Sequence, residues 1–368
     1  MKSKNIAYIP AIDQLRGLAA LLIVLYHGVT LISYSLRYAR PFQFDHWLHA
    51  DSWVEALVYE GHTAVALFMV LSGFIFTLGA YKREISYGQF IKNRFLRTYP
   101  LYLLVLFVGI AASPSSFNVP GFIASLFFMS NTPVAIGVEP YTSMFWAVAV
   151  EWQFYLVFPF IIRWVNLSGT INLAGLILVF ILFRVLLFYM GANIRDVSYW
   201  TIIGRMDQFL VGMALGVYYR KFFRPGALYD GLFILAVLAV CYTLFMFNRA
   251  GGWLAVSAWK LIWPTLEALV WGAFILGYLS FSRWLPALIT RPLIMVGLVS
   301  YSMYLVHFIL VFVAIKQGFL LQPFSDRPVA NALVSTLLVV LPCLLLFATM
   351  TYHFIEKPFL QLRRVYSR

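Results

Sequence analysis

The chain alternates between long apolar stretches and short polar connections along its whole length. Many stretches hold about 20 residues with few charges, the length that a helix needs to cross the ~30 Å hydrocarbon core of a membrane. Lipid offers the backbone no hydrogen-bonding partner, so segments that cross it must be helical. The pattern therefore predicts an all-α protein, a polytopic bundle of membrane helices. The apolar segments lie near 17–36, 62–81, 98–112, 121–130, 142–163, 171–190, 201–219, 228–247, 257–281, 293–316 and 328–352.

Clusters of lysine and arginine between these segments indicate how the chain is threaded. Residues 82–97 and 220–227 are both rich in basic residues, which are retained on the cytoplasmic side. An even number of crossings must separate two loops on one side, yet five apolar segments lie between these two. Segment 121–130 is about half the length of a crossing helix, so we predict a re-entrant or interfacial element there. Ten transmembrane helices remain, with both termini cytoplasmic and residues 37–61 outside.

The amino-acid composition supports a membrane protein and argues against a nucleic-acid-binding one. The 368-residue chain is 62% hydrophobic and 11% charged, whereas soluble domains carry about 25% charged residues. The net charge of +13 would suit nucleic acid, but the basic residues concentrate in short loops where topology explains them. Cys241 and Cys343 lie in apolar segments and are predicted to pack there rather than to form a disulfide. We predict a single transmembrane domain over residues 1–368, with a retained first helix and no attached soluble domain.

Two polar residues interrupt the first apolar segment. Arg16 and His27 are separated by three helical turns, so they lie on one face about 16 Å apart along the helix axis. An arginine at the cytoplasmic end of a helix is commonly a snorkelling anchor. A histidine near the middle of a span is rarer, and ionisable groups at that depth usually mark a functional site. His27 is therefore the stronger functional candidate of the two.

Three further segments carry polar groups within or beside the membrane. Glu151, in FWAVAVEWQFYLVFPF, falls near mid-depth, where a carboxylate is costly unless it is paired or faces a wet cavity. A structural ion pair is the alternative. Arg94 and Arg97, in KNRFLRTYPLY, share a helix face and could hold phosphate, although topology alone would also explain them. The segment GLVSYSMYLVHF carries hydroxyl groups and one imidazole, which could instead join helices: Ser300, Tyr301, Ser302, Tyr304 and His307.

The sequence gives little support for a metal or nucleotide site. His46, His49 and Asp51 in the predicted outer loop have no further ligand close in sequence, so we predict no metal. We also find no phosphate-cradling glycine loop, GxSxG nucleophile elbow or dinucleotide-binding fingerprint in the chain.

Seven motifs, in this order, resemble the acyltransferase family 3 of membrane O-acyltransferases over essentially the whole chain. They are LRGLAALLIVLYH, FMVLSGF, NRFLRTYPLY, EWQFYLVFP, RMDQFLVGM, SYSMYLVH and FIEKP. In one respect the chain departs from that family. Relatives often carry serines before the EWQ motif, where this chain has Ala147 and Ala149. The departure concerns how Glu151 is held, but it leaves the carboxylate in place.

The resemblance implies transfer of an acyl group, usually acetyl, from cytoplasmic acyl-CoA to a hydroxyl of a glycan or lipid-linked saccharide. It makes Arg16 and His27 the essential pair of the first helix. It assigns the coenzyme phosphates to Arg94 and Arg97, with Tyr99 beside them. It also implies a multi-pass enzyme of the bacterial cytoplasmic (inner) membrane that O-acetylates a surface polysaccharide such as lipopolysaccharide, with polysaccharide-assembly proteins as partners.

These residues suggest a mechanism. Transfer to a hydroxyl needs a base, and histidine is suited to that role near neutral pH. A buried Glu151 could orient the His27 imidazole, as the third group does in catalytic triads. Tyr301 or Ser302 could donate to the oxyanion, while His307 could contact the acceptor or replace His27 as the base. Direct transfer and an acyl-histidine intermediate both remain open.

Two other classes of protein could carry the same residues. A transporter or channel also places His, Glu and Arg at the membrane midplane, and inverted repeats would favour it, but we find none in the sequence. A non-catalytic scaffold of a polysaccharide-assembly complex would tolerate loss of His27. We therefore expect an acyltransferase, with a transporter or channel as the main alternative.

Overall fold

The apolar segments form long helices throughout residues 5–367, the part of the chain that the computed structural model describes. That part contains α-helices joined by short connections and helical turns, without a β-strand. In chain order the helices are α1 (Pro10–Tyr38), α2 (Trp53–Tyr59), α3 (Ala64–Ala80), α4 (Tyr87–Ala112), α5 (Val119–Leu126), α6 (Phe145–Ser168), α7 (Ile171–Tyr189), α8 (Ile194–Trp200), α9 (Ile202–Lys221), α10 (Ala227–Arg249), α11 (Trp263–Phe281), α12 (Ala287–Leu298), α13 (Ser300–Lys316), α14 (Pro328–Ser335), α15 (Leu341–Thr351) and α16 (Lys357–Gln361).

The number of membrane-crossing helices is close to the prediction, but ten is not confirmed. Within residues 5–367, eight helical stretches are long and apolar enough to cross a membrane, and the bent pair α12–α13 would make nine. Helix α9 has 20 residues, but Arg205, Asp207 and Gln208 make it more polar than the others. Those three side chains are buried among neighbouring helices. Segment 121–130 yields only the eight-residue α5, which is too short to cross, as predicted.

Two helices differ from the expected boundaries. Helix α4 begins at Tyr87, so Arg94 and Arg97 lie inside it and not in a preceding loop. Its polar first turns are held by packing, since Phe90 and Asn93 are buried there. Segment 293–316, expected as one helix, is divided into α12 and α13, which meet at an angle of 76°. The bend lets α12 lie against the start of α1.

Close backbone contacts fix the helices at the centre of the bundle. A β-carbon on Gly73 of α3 would lie 2.1 Å from the carbonyl oxygen of Phe209 on α9. A β-carbon on Gly212 of α9 would lie 2.1 Å from the carbonyl oxygen of Val70 on α3. In the most apolar window of 18 residues within 61–80, 83% is buried inside the bundle. The corresponding figure for α7 is 11%. Helix α3 therefore forms the centre, and α7 lies at the periphery.

The described ends of the chain meet at one end of the bundle, which we call the terminal end. The Tyr366 amide donates to Asn5 Oδ1 at 2.9 Å, and the Ser86 amide donates to the Tyr366 carbonyl at 2.9 Å. The other end, which we call the opposite end, carries the connections 39–63, 113–144, 190–201 and 250–262. Helices α1, α3 and α4 run between the two ends in alternating directions.

Candidate functional site

A cavity of about 240 Å³ lies inside the bundle near its terminal end. Five of the predicted site residues line it: Arg16, Arg94, Arg97, Glu151 and Tyr301. They come from α1, α4, α6 and α13, which are far apart in the sequence. Folding therefore brings together most of the residues that the motifs singled out. We call this space the arginine cavity.

Arg94 and Arg97 have different surroundings in the arginine cavity. Arg97 Nη1 donates to Glu356 Oε2 at 2.8 Å, and Glu356 is only 1% exposed. The Arg94 guanidinium lies over the Phe76 ring, 4.8 Å from its centroid. Arg94 Nε and Arg97 Nη2 are both buried without a hydrogen-bonding partner in residues 5–367. Buried donors without partners are costly, so an oxyanion in this cavity would be stabilised.

Two further arginines line the same cavity. Arg16 Nη1 lies 3.7 Å from Asp13 Oδ1, one turn away on α1. Arg363, which follows the last helix, was not predicted. The pKa of Arg363 is lowered to about 10 because burial removes its hydration and because Arg97, Arg94 and Arg16 lie nearby. Its guanidinium remains charged near neutral pH, so the arginine cavity favours an anion.

Glu151 faces this cavity and is held from another helix. Ser72 Oγ of α3 donates to Glu151 Oε1 at 2.6 Å. The chain has alanines at positions 147 and 149, and the hydroxyl that binds Glu151 comes from the FMVLSGF motif of α3. The sequence could have signalled Ser72 only as a hydroxyl within an apolar helix.

His27 lies beside a second histidine. His27 Nδ1 is 2.9 Å from His307 Nε2. His307 Nδ1 is 2.8 Å from the Tyr304 carbonyl oxygen and 3.1 Å from that of Met303. Carbonyl oxygens only accept, so His307 carries its hydrogen on Nδ1 and, when neutral, accepts at Nε2. His27 must then donate from Nδ1, which leaves Nε2 as its basic nitrogen.

The imidazole pair adjoins the arginine cavity through Tyr304. Tyr304 lines the cavity, and its ring lies 5.9 Å from the His307 ring. Its hydroxyl and that of Ser300, also in the lining, are buried without a partner in the described part of the chain. His27 itself is not among the described residues that line the cavity. Glu151 is hydrogen-bonded to Ser72 and Tyr155, and His27 to His307 and the Ile23 backbone, so none of these contacts joins the carboxylate to the imidazole.

Three other predicted residues have their hydroxyl groups in contacts within the protein. Tyr301 donates to the Thr98 carbonyl at 2.7 Å. Ser302 donates to Glu356, the same carboxylate that binds Arg97. Tyr99 donates to the Leu126 carbonyl of α5 at 3.3 Å. Of these three, only Tyr301 lines the arginine cavity.

Sequence analysis missed a group of buried charges near the opposite end. Arg184 of α7 binds Asp207 of α9 through two hydrogen bonds of 2.8 and 2.7 Å, and both side chains are fully buried. Glu267 of α11 accepts from Thr63 Oγ1 at 2.6 Å. Glu60 and His62 form a third buried contact, at 2.9 Å. Each is an ionisable residue next to or within an apolar segment, which was the available signal.

Comparison with known proteins gives a consistent result. The family described as "Acyltransferase domain" matches residues 9–351. "Putative peptidoglycan O-acetyltransferase YrhL" of Bacillus subtilis strain 168 is 27% identical over 97% of this chain and 56% of its own length. "O-acetyltransferase OatA" of Staphylococcus aureus strain NCTC 8325 is 25% identical over 95% and 57%. The chain thus spans little more than half the length of the curated relatives it matches. No solved structure matches the chain.

Proposed function

Because the chain belongs to the acyltransferase domain family that matches residues 9–351, we propose that it is an integral membrane O-acyltransferase. It moves an acyl group, acetyl in the first instance, from acyl-CoA to a hydroxyl of a glycan or lipid-linked saccharide. One observation carries the proposal: a cavity lined by four arginines, of which Arg94 and Arg97 each keep a buried donor without a partner in residues 5–367, adjoins a pair of hydrogen-bonded imidazoles. The peptidoglycan in the name of one relative favours a surface glycan as the acceptor.

The arginine cavity suits the phosphate-bearing part of acyl-CoA. Guanidinium groups engage phosphate oxygens in bidentate fashion, and Arg94 and Arg97 each keep a buried donor for such a contact. The cavity, at about 240 Å³, is smaller than the ~300–1,000 Å³ of sites for drug-sized ligands. It therefore takes part of the coenzyme, with the remainder at the terminal end. Glu151 acts in this cavity, where it balances the charge of the arginines.

His27 is the proposed base. Its Nε2 lone pair takes the proton of the acceptor hydroxyl as the hydroxyl oxygen attacks the acyl carbon. The His27 Nδ1–H remains bonded to His307 Nε2, which orients the ring and stabilises its cationic form, as an orienting group does in a triad. His27 then gives the proton to the departing sulfur. His307 is a positioning residue in this scheme, and it takes the role that the sequence suggested for Glu151.

Donor binding is the direct test. Replacing Arg94 and Arg97 together by Ala should weaken acetyl-CoA binding about tenfold or more, since a hydrogen bond to a charged group contributes about 1.5–3 kcal/mol. Calorimetry on protein in lipid nanodiscs measures this affinity. Lys92→Ala is the matched control, because Lys92 is an exposed cation on the same helix. Wild-type protein that failed to bind acetyl-CoA would overturn the proposal and favour a transporter or channel.

A further inference from the structure

A second, smaller pocket lies at the opposite end of the bundle. Its volume is about 20 Å³, enough for one water molecule or one hydroxyl group, which need ~10–15 Å³. The start of α3, the connection between α7 and α9, and the connection before α11 enclose it. Its lining includes His62, Tyr199, Arg205, Trp253 and Lys260. None of these residues has a role in the proposed transfer step.

His62 lines this pocket and keeps a lone pair that no described residue binds. Its Nε2 lies 2.9 Å from Glu60 Oε2, and a carboxylate accepts, so the hydrogen is on Nε2 and the neutral ring keeps its lone pair on Nδ1. Glu60 is itself fixed, because Oε1 accepts from Trp47 Nε1 at 2.8 Å and from Asn248 Nδ2 at 2.6 Å. His62 is 4% exposed, and its Nδ1 has no hydrogen-bonding partner in residues 5–367.

Trp253 supplies the complementary atom. Its indole Nε1 is also buried without a partner among the described residues. An indole N–H can only donate, whereas the His62 lone pair can only accept. Both residues line the pocket, and a hydroxyl group can donate and accept, so its chemistry matches the two atoms that stay unpaired there in residues 5–367. A phosphate would satisfy only the donor, and an ammonium group only the acceptor.

The surface around the pocket suits a sugar ring. The Trp47 and Trp253 rings are stacked with centroids 6.0 Å apart. Phe44 lies 4.7 Å from Trp253 and is 55% exposed. The Arg195 guanidinium lies over Trp253 at 4.7 Å. Sugar rings combine apolar faces with hydroxyl edges, and the exposed Phe44 ring beside the buried Trp253 offers an apolar face next to the polar atoms of the pocket.

We propose that this pocket is a subsite for a saccharide acceptor, in which His62 and Trp253 hold a hydroxyl other than the one that is acylated. The inference rests on the proposed function, because it takes the acceptor to be a glycan. Tyr26 links the subsite to the imidazole pair, since its ring lies 5.4 Å from His62 and 4.6 Å from His27.

Deoxygenated acceptors test the subsite. The full chain in nanodiscs is assayed with acetyl-CoA and methyl N-acetyl-β-glucosaminide, together with its 3-, 4- and 6-deoxy analogues. The wild type should lose about tenfold or more of kcat/KM on one analogue, because a site built for a hydroxyl rejects a substrate that lacks it. His62→Ala and Trp253→Phe should show nearly the same kcat/KM for that analogue and its parent. Acetyl-CoA affinity should stay at the wild-type value in both.

Matched controls keep the result interpretable. His49→Ala and Trp53→Phe change exposed residues at the same end and should keep the wild-type discrimination. If His62→Ala fails to fold, Trp253→Phe still tests the subsite, because it keeps an aromatic ring at position 253 and removes only the indole N–H. Undiminished discrimination in the variants would overturn the subsite, and so would a loss of thermal stability alone, which indicates a structural water. Wild-type protein that acylates no saccharide would instead overturn the proposed function.

Discussion

A buried imidazole can take a proton only through a nitrogen that keeps its lone pair, and backbone atoms decide which nitrogen that is. The carbonyls of Met303 and Tyr304 fix the hydrogen of His307 on Nδ1. Because His307 Nε2 then accepts from His27 Nδ1 at 2.9 Å, the hydrogen of His27 is on Nδ1. At the scale of residues, the proposed base therefore depends on a helix turn more than 270 residues away in the chain.

Substitution of the two histidines should separate their roles. His27→Ala should abolish acyl transfer while acetyl-CoA affinity is kept, since general-base catalysis contributes about 10²–10⁴-fold. His307→Ala should lower kcat with little change in donor affinity, and His307→Gln, which can still accept a hydrogen bond from His27, should recover part of it. Radiolabelled acetyl transfer in nanodiscs measures kcat. His353→Ala, an exposed histidine on the last helical stretch, is the control. Full activity in His27→Ala would move the base to His307.

Lys260 provides a prediction for pH dependence. Its pKa is lowered to about 7, chiefly by burial and also by the nearby Arg195, while Glu60 and Asp196 oppose the shift. An unfolded lysine titrates near ~10.4, so between these values the unfolded state binds more protons and stability rises with pH. The melting temperature in detergent should therefore rise from about pH 7 to pH 10 relative to Lys260→Met. The control is Lys316→Met, which changes an exposed lysine at the same end of the bundle as Lys260. It should leave the pH dependence of the melting temperature as in the wild type. Parallel profiles for wild type and Lys260→Met would contradict the shift.

The sequence identified the costly residues but not their partners. Arg16, His27 and Glu151 stand out because an ionisable group in an apolar helix is conspicuous wherever the chain folds. The partner depends on which helices become neighbours, and no spacing rule gives the contacts of Glu151 with Ser72 or of His27 with His307. Glu356 shows the same limit, since FIEKP carried the resemblance without suggesting an ion pair with Arg97.

At the scale of helices, buried ion pairs decide how the peripheral segments attach to the centre. Helix α7 is mostly exposed around the bundle, yet its Arg184 reaches Asp207 on α9 and the Leu261 carbonyl before α11. One side chain thus joins three parts of the chain. Removing one partner of such a pair leaves an uncompensated charge, which is worse than removing both.

The Arg184–Asp207 pair should therefore show strong coupling. Arg184→Leu or Asp207→Leu alone should destabilise the protein by about 3–5 kcal/mol, whereas the double Leu variant should recover much of that loss. Unfolding by a denaturing detergent, followed by tryptophan fluorescence, measures the difference. Arg163→Leu, an exposed arginine on α6, is the control. Additive losses in the double variant would show that the two side chains do not act as a pair.

Helix positions were largely predictable and helix breaks were not. The apolar length alone gives α3, α7 and α10 to within two residues and α6 to within five, whereas α1 begins seven residues before the predicted segment. The bend at Val299 could not be predicted in that way, because segment 293–316 has the overall length and hydrophobicity of one spanning helix. Its cause is tertiary: a β-carbon on Gly297 would lie 1.8 Å from the Asp13 carbonyl oxygen, so α12 contacts α1 backbone to backbone. The polar first turns of α4 were missed for a related reason, since packing holds them helical.

At the scale of the whole molecule, the arginine cavity and the smaller pocket lie at different ends of the bundle. The arginine cavity lies at the terminal end with the described ends of the chain, and the hydroxyl-sized pocket lies among the connections of the opposite end. Helices long enough to cross a membrane run between these ends. The basic residues at 82–97 and 220–227, from which the sequence predicts the cytoplasmic side, lie at the terminal end. Donor and acceptor should then approach the protein from opposite sides of the membrane.

Cysteine labelling and acyl-transfer assays in vesicles of known orientation test this arrangement. In a background with Cys241 and Cys343 replaced by Ala, Glu84→Cys at the terminal end should react with a membrane-impermeant maleimide only in inverted vesicles. Asp51→Cys at the opposite end should react only in right-side-out vesicles. Acetyl-CoA added outside should support acyl transfer in inverted vesicles alone, because the arginine cavity then faces the added donor. Labelling of Glu84→Cys in right-side-out vesicles would reverse the orientation, and the donor would then have to reach the arginines from outside, where no acyl-CoA pool supplies it.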